Sequence, residues 1–391
     1  MISKHPYKTE IYDQANSLQA CNWVPVGNHP FTSMAFLSSL EESGAVCAES
    51  GWLPQHLLLK DGDGQPVAFM PLYLKSHSMG EYVFDQAWAA AYEQAGGQYY
   101  PKLLSAVPFT PVTRPPLRLA AKADMAEVEA CMIDAAKQIT RDNDLSSFHM
   151  NFVPEAFAIR HEAPDMLVRN DVQFHWINRG YATFADFLST LSSRKRKQIN
   201  RERREALASD IVIRRIAGRD ISEANWDAFY AFYRDTGMRK WGQPYLNRAF
   251  FSLIGDRMPE RLLLVLCERG GKPVAGALNF TSDAVLYGRW WGALEHHPFL
   301  HFEACYYQAI EHAITHGLAR IEAGAQGPHK LARGYEPVTS WSLHHLPNPG
   351  FRRAVARYLN VERRQIIAES KYLADHLPFR SVPPTPKPDM S

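Results

Sequence analysis

Two stretches of the chain share a pattern of apolar segments broken by a short polar turn. Residues 57–69 run as an apolar segment, a turn that contains glycine, and a second segment that opens with Pro66. Residues 264–276 repeat this order, with Pro273 at the start of the second segment. Apolar segments on either side of a tight glycine turn are typical of a β-hairpin. The pattern therefore predicts one hairpin in each half of the chain.

Further segments recur in the same order in both halves. The tripeptide at residues 129–131 is repeated at 303–305, each in a helical pattern, and residues 173–177 resemble residues 342–346. A solenoid repeat has a much shorter period of about 20–50 residues. The shared order predicts that one α/β unit is duplicated, with helices, a hairpin, a strand, a helix and two more strands in each copy.

The junction between the two copies carries a helical pattern followed by a run of positive charge. Apolar residues recur there at helical spacing from Phe184 to Leu191. A proline-rich composition at the C-terminus is typical of disorder. The expected boundaries are a first domain at 1–180, a basic helical connector at 181–208, a second domain at 209–378 and a disordered tail at 379–391.

The composition describes an ordinary globular protein with balanced charge. The 391 residues are 46% hydrophobic and 21% charged, and the formal net charge is +2. The five cysteines lie far apart, without the paired spacing of a disulfide framework or a zinc site. The N-terminus lacks the apolar core of a signal peptide, and no uncharged run approaches the roughly 20 residues that span a bilayer. We therefore expect a cytoplasmic protein without a transmembrane segment. The composition does not indicate whether the protein is a monomer or an oligomer.

The most informative candidate site is a glycine-rich, cationic loop in the second half. An apolar run there ends in a loop that contains Gly324, Gly327, Lys330 and Arg333. A strand that ends in such a loop allows the backbone to approach a phosphate or an acyl carbonyl. In the alternative interpretation the loop is an elaborate turn, and its cations cap a helix or pair with Glu322.

A second candidate segment is rich in histidine. Residues 296–305 follow an aromatic strand at 287–291, which carries Arg289 and Trp290. The three histidines and Glu303 lack the spacing of a metal site, so no metal is expected. Glu303 is a candidate general base, although an acidic residue in the first turn of a helix also stabilises the helix dipole.

In the first half, aromatic residues alternate with polar ones between residues 82 and 114. Asp85, Trp88 and Lys102 are the candidates here, together with Thr110 and Arg114. Dense prolines indicate irregular loops, and loops on a rigid scaffold commonly bind ligands. The segment is therefore either the wall of a binding cleft or a hydrophobic seam.

A basic run at residues 194–204 offers contacts for an anionic partner. Arg194 and Arg196 are its candidate binding residues, and the partner would be tRNA, a nucleotide-sugar or anionic lipid. In the alternative interpretation this is a solvated helix face, because Glu202 and Glu205 pair with arginines at helical spacing.

The motifs that the sequence lacks exclude several classes of enzyme. It contains no GxSxG elbow, no phosphate-binding GxxxxGK[ST] loop and no GxGxxG after a strand. These absences argue against a hydrolase, a nucleoside triphosphatase and a dehydrogenase. Acyl transfer to an amine needs no nucleophilic side chain, because holding donor and acceptor together accounts for about 7–11 kcal/mol of the barrier.

The order of elements resembles the GNAT acyltransferase fold, duplicated as in the Fem aminoacyltransferases. The match covers nearly the whole chain and resembles the FemAB-related bacterial family of peptidoglycan biosynthesis or recognition. It rests on the segments at residues 84–88, 100–111, 173–176, 193–197 and 322–335. The resemblance implies an α/β fold of tandem GNAT-like domains, with mixed sheets flanked by helices.

The resemblance also implies roles for the candidate residues of the second half. Lys330 lies where Fem enzymes place a lysine near the acyl carbonyl, and His329 is its neighbour for proton transfer. Arg289 and Arg333 would contact phosphate. Further substrate-binding candidates are Trp290, Gly324, Gln326, Gly327 and Tyr335.

The acyl donor and the activity follow from the same resemblance. The glycine-rich pyrophosphate loop of acetyl-CoA-dependent relatives is absent, which argues against acetyl-CoA; the Fem enzymes also lack this loop and use aminoacyl-tRNA. The donor is left open between an acyl-CoA and an aminoacyl-tRNA. We expect an acyl- or aminoacyltransferase that acts on an amine. The alternatives are an aminoacyl-tRNA-dependent transferase for peptidoglycan precursors and a catalytically silent module that binds cell-wall fragments or nucleotide-sugars. The counterpart loop in the first half, at residues 149–154, lacks the glycines and the lysine, which places the one active centre in the second half.

Overall fold

The computed structural model describes residues 7–21, 27–120, 124–324 and 327–380. The predicted substrate contact Gln326 and nearly all of the predicted disordered tail lie outside these described residues. The chain divides into two compact units. Unit 1 comprises residues 1–171 and 340–367, and unit 2 comprises residues 172–339 and 368–391.

The described chain contains both strands and helices, with runs of consecutive strands at residues 52–75 and 262–293. The strands are β1 (Lys8–Tyr12), β2 (Trp52–Pro54), β3 (His56–Lys60), β4 (Pro66–Met70), β5 (Tyr73–Lys75), β6 (Lys102–Ser105), β7 (Arg118–Leu119), β8 (Phe148–Val153), β9 (Leu167–Ile177), β10 (Ile211–Ala217), β11 (Leu262–Arg269), β12 (Lys272–Thr281), β13 (Val285–Ala293), β14 (Arg320–Glu322) and β15 (Glu336–His345). The α-helices are α1 (Met34–Glu42), α2 (Gln86–Gln94), α3 (Met125–Asp142), α4 (Glu155–His161), α5 (Phe184–Thr190), α6 (Ser193–Ala206), α7 (Glu223–Trp241), α8 (Arg248–Arg257), α9 (Leu300–Phe302), α10 (Gln308–Thr315) and α11 (Pro349–Asp375). Among the described residues, no helix is both long enough and apolar enough to cross a membrane.

Unit 1 contains the first predicted hairpin, formed by β3 and β4. These strands lie in an antiparallel sheet of order β1-β3-β4-β7. A second set of hydrogen-bonded strands in this unit has the order β15-β8-β6-β5-β2. β6 and β8 are parallel neighbours, and the chain crosses between them through α3. Asp124 caps the start of α3, because its carboxylate accepts hydrogen bonds from two backbone N–H groups of the first turn. It then buries Val128, Met132 and Ala136, spaced four residues apart, in the core of unit 1.

Unit 2 repeats this order of elements. β11 and β12 form the second predicted hairpin, and β13 and β14 are the parallel neighbours. The chain crosses between β13 and β14 through a helix that begins as α9, continues as a π-helical turn at Glu303–Tyr307 and ends as α10. α7 packs closely on β13, since a Cβ on Gly292 would lie 2.2 Å from the backbone carbon of Phe232. The predicted duplicated α/β architecture is confirmed by these two hairpin and crossover units.

The boundaries of the compact units differ from the domain boundaries that we expected from the sequence. The basic helix α6, expected as a connector, counts with unit 2, and residues 340–367 count with unit 1. The boundaries differ because each unit is held together by pairing between strands, and paired strands can be far apart in sequence. The part of β15 from Trp341 onwards pairs with β8, whereas β14 pairs with the part of β9 that ends at Ile177.

The parallel strands of unit 1 are bridged by the unit's own chain. β6 and β8 pair from Leu103 to Ser105, against Phe148 to Met150. Beyond this point the backbone N–H of Arg114 donates to the carbonyl oxygen of Phe152 at 3.0 Å. The guanidinium of Arg114 donates to the hydroxyl oxygen of Ser105 at 2.8 Å. The loop that carries Arg114 is thus hydrogen-bonded to both strands.

Candidate active site

The parallel strands of unit 2 separate after three paired positions. β13 pairs with β14 only from Val285 to Tyr287. A β-bulge shifts the register of β12 against β13 between Leu278 and Asn279, and leaves Arg289 as the extra residue. A cavity of about 100 Å³ lies beyond this point; its lining includes Asn279, Gly288, Arg289, His301, Cys305, Tyr306 and Ala323. We call this cavity the β13–β14 notch. Past the paired positions the outer edge of β13 is available to an extended ligand chain.

A π-helical turn forms one wall of the β13–β14 notch. It spans Glu303–Tyr307, and π-helical turns are rare and are found frequently at functional sites. The hydroxyl oxygen of Tyr306 lies 2.8 Å from Nε2 of His329, so the two side chains share a hydrogen bond. Burial raises the pKa of the Tyr306 phenol, whereas burial and the nearby cations Lys330 and Arg333 lower the pKa of His329. At neutral pH the pair is therefore a protonated phenol beside a neutral imidazole.

Lys330 lies at the end of β14 with its side chain almost fully buried. Its ammonium donates to the carbonyl oxygens of Ala323 at 2.7 Å and Gly324 at 3.0 Å. An ammonium has three N–H donors, so one remains for a ligand. Burial, followed by the positive charge of Arg289, lowers the pKa of Lys330 to about 7. Lys330 therefore fixes the loop after β14 and is also able to exchange a proton near neutrality.

Replacing Lys330 with methionine tests this burial through the pH dependence of stability. The pKa of Lys330 is about 7 in the folded protein and about 10.4 in an unfolded chain. Unfolding therefore takes up a proton between these pH values, and the free energy of unfolding rises as the pH increases through this window. We expect this rise to be smaller in Lys330→Met by at least ~1.4 kcal/mol, the equivalent of one pKa unit.

The measurement compares urea unfolding of wild type and Lys330→Met at about pH 7 and pH 9.5. The buried Lys75 of unit 1 also has its pKa lowered by burial to about 7, but it is present in both proteins. The difference between the two proteins therefore reports on Lys330. If the free energy of unfolding depended on pH equally in both proteins, burial would not lower the pKa of Lys330.

Two glycines allow the backbone conformation of the loop after β14. Gly324 and Gly327 have φ angles of +74° and +122°, a backbone region that side chains with a Cβ rarely adopt. A Cβ on Gly324 would lie 3.5 Å from Nη1 of Arg289, which places the guanidinium beside the loop. Arg289, which lines the β13–β14 notch, thus lies beside Gly324, whose carbonyl oxygen accepts a hydrogen bond from Lys330. Contact of this loop with a ligand stays a prediction.

Three other predicted site residues belong instead to the interior of unit 2. Both carboxylate oxygens of Glu303 accept hydrogen bonds from Arg203 at 3.0 Å, so no oxygen is left for a general base without breaking this pair. Arg333 donates to Glu202 at 2.9 Å and stacks on the ring of Phe302, which replaces the predicted phosphate contact. Tyr335 is fully buried. The alternative structural interpretation applies to these residues, because they anchor the crossover helix to α6 and to the loop.

Trp290 has a mainly structural position. Its ring packs edge-on against Phe250, Phe251 and Phe280 in the core of unit 2. It also lines the β13–β14 notch, with only 9% of its surface exposed. A ligand in the notch would meet an edge of this residue.

A second, wider pocket lies at the start of the crossover helix. It has a volume of about 410 Å³ and is lined by residues of α7, of the end of β13 and of the histidine-rich segment, among them Thr236, Arg239, Trp291, His296, His297 and His301. We call it the histidine pocket. Trp291 and His301 line both this pocket and the β13–β14 notch, and their ring centroids are 5.3 Å apart. The two cavities are therefore neighbours along one path. The pocket also contains Glu295, which pairs with His297 at 2.8 Å, and its Arg239 pairs with Asp235 at 2.6 Å. The start of the crossover helix is the remaining feature that favours an anionic group.

The candidates of the first half form a buried polar network in unit 1. The ammonium of Lys102 donates to Glu81 at 2.8 Å, to Ser78 at 2.8 Å and to Asp85. Lys102 is fully buried and Asp85 nearly so. Tyr99 adds a hydrogen bond to Asp85 at 2.7 Å. Asp85 and Lys102 thus neutralise one another and form neither of the two predicted features, a cleft wall or an apolar seam.

Trp88 lies at the surface side of this network. Its ring packs edge-on against His344 at 5.0 Å, and the guanidinium of Arg169 lies over it at 5.0 Å. Trp88 also lines an apolar groove between α2 and α11. Its predicted role as a ligand contact is therefore compatible with its position, although that groove is separate from the β13–β14 notch.

The basic run forms α6 as predicted. Arg196 donates to the carbonyl oxygen of Leu191 at 2.9 Å and so helps to fix the start of the helix. Arg194 is exposed. The opposite face is anchored, since Glu202 pairs with Arg333 and Arg203 pairs with Glu303. The helix thus combines both interpretations: one face is structural, and one is exposed and basic.

The described part of the chain contains no group of three or more histidine, cysteine, aspartate or glutamate side chains arranged for a metal. The sequence did not identify Tyr306, Cys305 or Asn279 as site residues. Of the repeated tripeptide that precedes Tyr306, the sequence analysis identified only Glu303 as a candidate. A tyrosine directly after that repeat, near the histidine-rich segment, was the available signal.

Comparison with solved structures shows the fold. FemX aligns over 89% of this chain and 100% of its own, with 11% identity and a TM-score of 0.53. A C-terminal domain assigned to a lysylphosphatidylglycerol synthetase of Agrobacterium fabrum aligns over 89% of this chain and 95% of its own, with 8% identity and a TM-score of 0.50. A tandem GNAT protein from the clavulanic acid biosynthesis pathway aligns over 88% and 99%, with 10% identity and a TM-score of 0.44. No curated protein sequence matches this chain.

The family is shown by the sequence itself. The model of FemAB-like proteins, described as peptidoglycan biosynthesis/recognition, matches residues 14–381. This match covers nearly the whole chain and includes both compact units. It confirms the resemblance predicted from the motifs, and the chain therefore belongs to the FemAB-like family.

Proposed function

We propose that the protein transfers an acyl or aminoacyl group from a thioester or a tRNA ester to an amine. Membership of the FemAB-like family and a fold like that of FemX support this activity. The observation that carries the proposal is the β13–β14 notch, where two parallel strands separate beside Tyr306, His329 and Lys330. The donor would lie with its anionic part in the histidine pocket and its acyl group in the notch.

The side chains at the notch suit the proton transfers of such a reaction. The amine nitrogen forms a bond to the carbonyl carbon, and the bond from that carbon to sulfur or ribose oxygen breaks. The neutral imidazole of His329 takes the proton that the amine loses, and the phenol of Tyr306 protonates the leaving atom. His329 then returns a proton to Tyr306 through their 2.8 Å hydrogen bond. Two groups whose pKa values are pushed apart by their surroundings fit these acid and base roles.

The positive groups at the notch would stabilise the charge that develops on the carbonyl oxygen. The remaining N–H of Lys330 and the guanidinium of Arg289 both lie at this point. Removing one such donor from an active site typically lowers the rate by about 10²–10³-fold. The role predicted for Lys330, polarising the acyl carbonyl, would therefore be shared with Arg289.

The exposed basic face of α6 favours aminoacyl-tRNA as the donor. Arg194, Lys197, Arg201 and Arg204 are exposed, whereas the acidic Glu202 is buried. The other acid of α6, Glu205, is exposed and pairs with Arg201 at 3.6 Å, so the face keeps an excess of positive charge. Positive side chains of this kind contact phosphates without sequence preference, and the contact weakens steeply with salt. We propose this donor together with peptidoglycan precursors as acceptors. We also propose a cytoplasmic location, which the thiols of Cys47, Cys131 and Cys267 support because none of them forms a disulfide.

The test offers acetyl-CoA, long-chain acyl-CoA and aminoacyl-tRNA as donors with a muropeptide nucleotide as acceptor. Mass spectrometry should detect a new amide with one donor class. A donor at a hundredfold excess over its Kd should also stabilise the protein by about 2.7 kcal/mol in thermal unfolding. With aminoacyl-tRNA, replacing Arg194, Lys197 and Arg201 by glutamine should raise KM in low salt.

Two outcomes would contradict the proposal. Stabilisation by the muropeptide nucleotide, without an amide product from any donor, would identify a binding module that recognises cell-wall fragments. Turnover that is unchanged by the three glutamine substitutions, at every salt concentration, would exclude α6 as a tRNA contact.

A further inference from the structure

Asn279 is a polar side chain in the wall of the β13–β14 notch that the proposed proton transfers do not use. It lies on β12 at the β-bulge and is the cross-strand partner of Gly288. Only 1% of its surface is exposed, although it lines the cavity. Buried polar side-chain atoms are usually hydrogen-bonded, so an atom without a partner that faces a cavity indicates a ligand contact.

Hydrogen bonds to the sheet determine which end of the Asn279 amide faces the notch. Its Nδ2 donates to the carbonyl oxygens of Leu263 at 3.3 Å and Ala277 at 3.4 Å. Carbonyl oxygens only accept hydrogen bonds, so the opposite orientation of the amide would bring oxygen against oxygen. Within the described part of the chain, Oδ1 of Asn279 accepts no hydrogen bond. The side chain therefore presents an unused acceptor at a fixed position.

The absence of a side chain at Gly288 leaves room in front of this oxygen. A Cβ on Gly288 would lie 3.5 Å from Oδ1 of Asn279 and 3.8 Å from the Cα of Ala323, the residue after β14. Asn279, Gly288 and Ala323 all line the notch. The oxygen thus faces the space between the two separating strands.

The charges around the notch favour a neutral partner for Oδ1. Among the described residues that line the notch, Arg289 is a cation and none carries a carboxylate. The ammonium of Lys330 binds the carbonyl oxygen of Ala323, at the edge of the same cavity. Positive charges at this distance disfavour a bound ammonium group. Of the two reactants, the acyl carbonyl needs hydrogen-bond donors, whereas a neutral amine brings N–H groups that need an acceptor.

We propose that Asn279 selects the amine substrate, because its Oδ1 accepts a hydrogen bond from a neutral primary amine. This inference rests on the proposed function and specifies its substrate class. One N–H of the amine donates to Asn279, and the lone pair of the nitrogen forms the bond to the carbonyl carbon. The second proton passes to His329, while the bond from that carbon to sulfur or ribose oxygen breaks and Tyr306 protonates the leaving atom. A neutral secondary amine has a single N–H group, so it cannot serve both Asn279 and His329.

Two substitutions separate this role from the part that Asn279 plays in the fold. The amine substrate is the muropeptide nucleotide, and the donor is the one that gives an amide with wild type. Asn279→Leu should raise KM for the nucleotide roughly two- to tenfold, as the loss of one hydrogen bond does, and leave KM for the donor unchanged. Asn279→Asp keeps an oxygen at this position and should return KM for the nucleotide close to the wild-type value.

Urea unfolding of the same variants identifies a merely structural role. The second oxygen of Asn279→Asp would face the carbonyl oxygens of Leu263 and Ala277, which now accept from Nδ2. Asn279→Asp should therefore unfold at no higher urea concentration than Asn279→Leu, although its KM for the nucleotide is lower. If KM were as high in Asn279→Asp as in Asn279→Leu, it would follow stability, and the proposal would be overturned.

A second measurement compares the muropeptide nucleotide with a derivative that is mono-N-methylated at the reacting amine. Wild type should prefer the primary amine in kcat/KM, and Asn279→Leu, which has a side chain of similar size, should lose most of this preference. Gly288→Ala should lose it too, because its Cβ occupies the space in front of Oδ1 at ordinary contact distances of 3.5 and 3.8 Å. Gly62→Ala is the matched control, since a Cβ there meets nothing within 4 Å.

The outcomes distinguish this proposal from the proposed function. If wild type forms the amide and Asn279→Leu keeps the full preference for the primary amine, only the role of Asn279 is refuted. If wild type forms no amide with any donor, the proposed transfer fails, and the role of Asn279 fails with it.

Discussion

Replacing Tyr306 with phenylalanine is expected to lower the rate of acyl transfer by about 10²–10⁴-fold, the usual contribution of a positioned acid or base. The substitution removes only the hydroxyl group that lies 2.8 Å from His329, and the ring keeps its packing against Phe302 and Tyr335. The fold should therefore be retained. The rate is measured in single turnover with the donor that gives product, so that product release does not hide the effect.

The neighbouring tyrosine provides a matched control. The hydroxyl group of Tyr307 donates to the buried carboxylate of Glu202 and does not line the β13–β14 notch. Tyr307→Phe should therefore lower the free energy of unfolding by about 1–3 kcal/mol, because it leaves a buried acceptor with fewer partners. Its rate of transfer should stay within a few-fold of wild type. A wild-type rate in Tyr306→Phe would remove the phenol from the proposed mechanism.

Replacing Glu303 with alanine is expected to destabilise the protein by about 3–5 kcal/mol, because it leaves the guanidinium of Arg203 without its buried partner. Glu303 is fully buried, and both of its oxygens contact Arg203 at 3.0 Å. Gln308 donates a further hydrogen bond at 2.8 Å. The measurement is the midpoint of urea unfolding.

The same arginine offers a matched control. Arg203 also donates to Glu311 at 2.6 Å, but this carboxylate is partly exposed to solvent. Glu311→Ala should cost less than about 1 kcal/mol, as exposed ion pairs usually do. If Glu303→Ala were as stable as wild type and lost transfer activity, Glu303 would act as a base after all.

The duplicated fold was predictable because its signals are local. A hairpin is determined by two apolar runs and the turn between them, as in residues 264–276, where β11 and β12 meet. The crossover from β13 to β14 follows from a helical pattern between two short apolar runs. Each of these signals lies within about 40 residues of chain, the scale of a βαβ unit.

The candidate site was predictable only in part, because its partners are distant in sequence. The loop with Lys330 and His329 stood out through its glycines and charges. Glu303 and Arg333, however, bind partners that lie 100 and 131 residues away, at Arg203 and Glu202. Sequence spacing does not reveal such pairs, so a buried ion-pair partner and a free catalytic group look alike. Tyr306 was missed for a related reason, since a π-helical turn changes which side chains of a helix face the sheet.

The bridge that Arg114 makes in unit 1 has a consequence for how the two copies tolerate mutation. Where unit 2 keeps its parallel strands apart, unit 1 joins them through Arg114, Ser105 and Phe152. Arg114 is almost fully buried, so its hydrogen bonds serve stability, whereas the notch is open to a ligand. Random substitutions around Arg114 should then deplete the amount of folded protein, and those around the β13–β14 notch should deplete turnover per molecule. A mutational screen that measures protein abundance and activity separately would test this. We expect positions that lower abundance to cluster around Arg114, and positions that lower only activity to cluster around the β13–β14 notch.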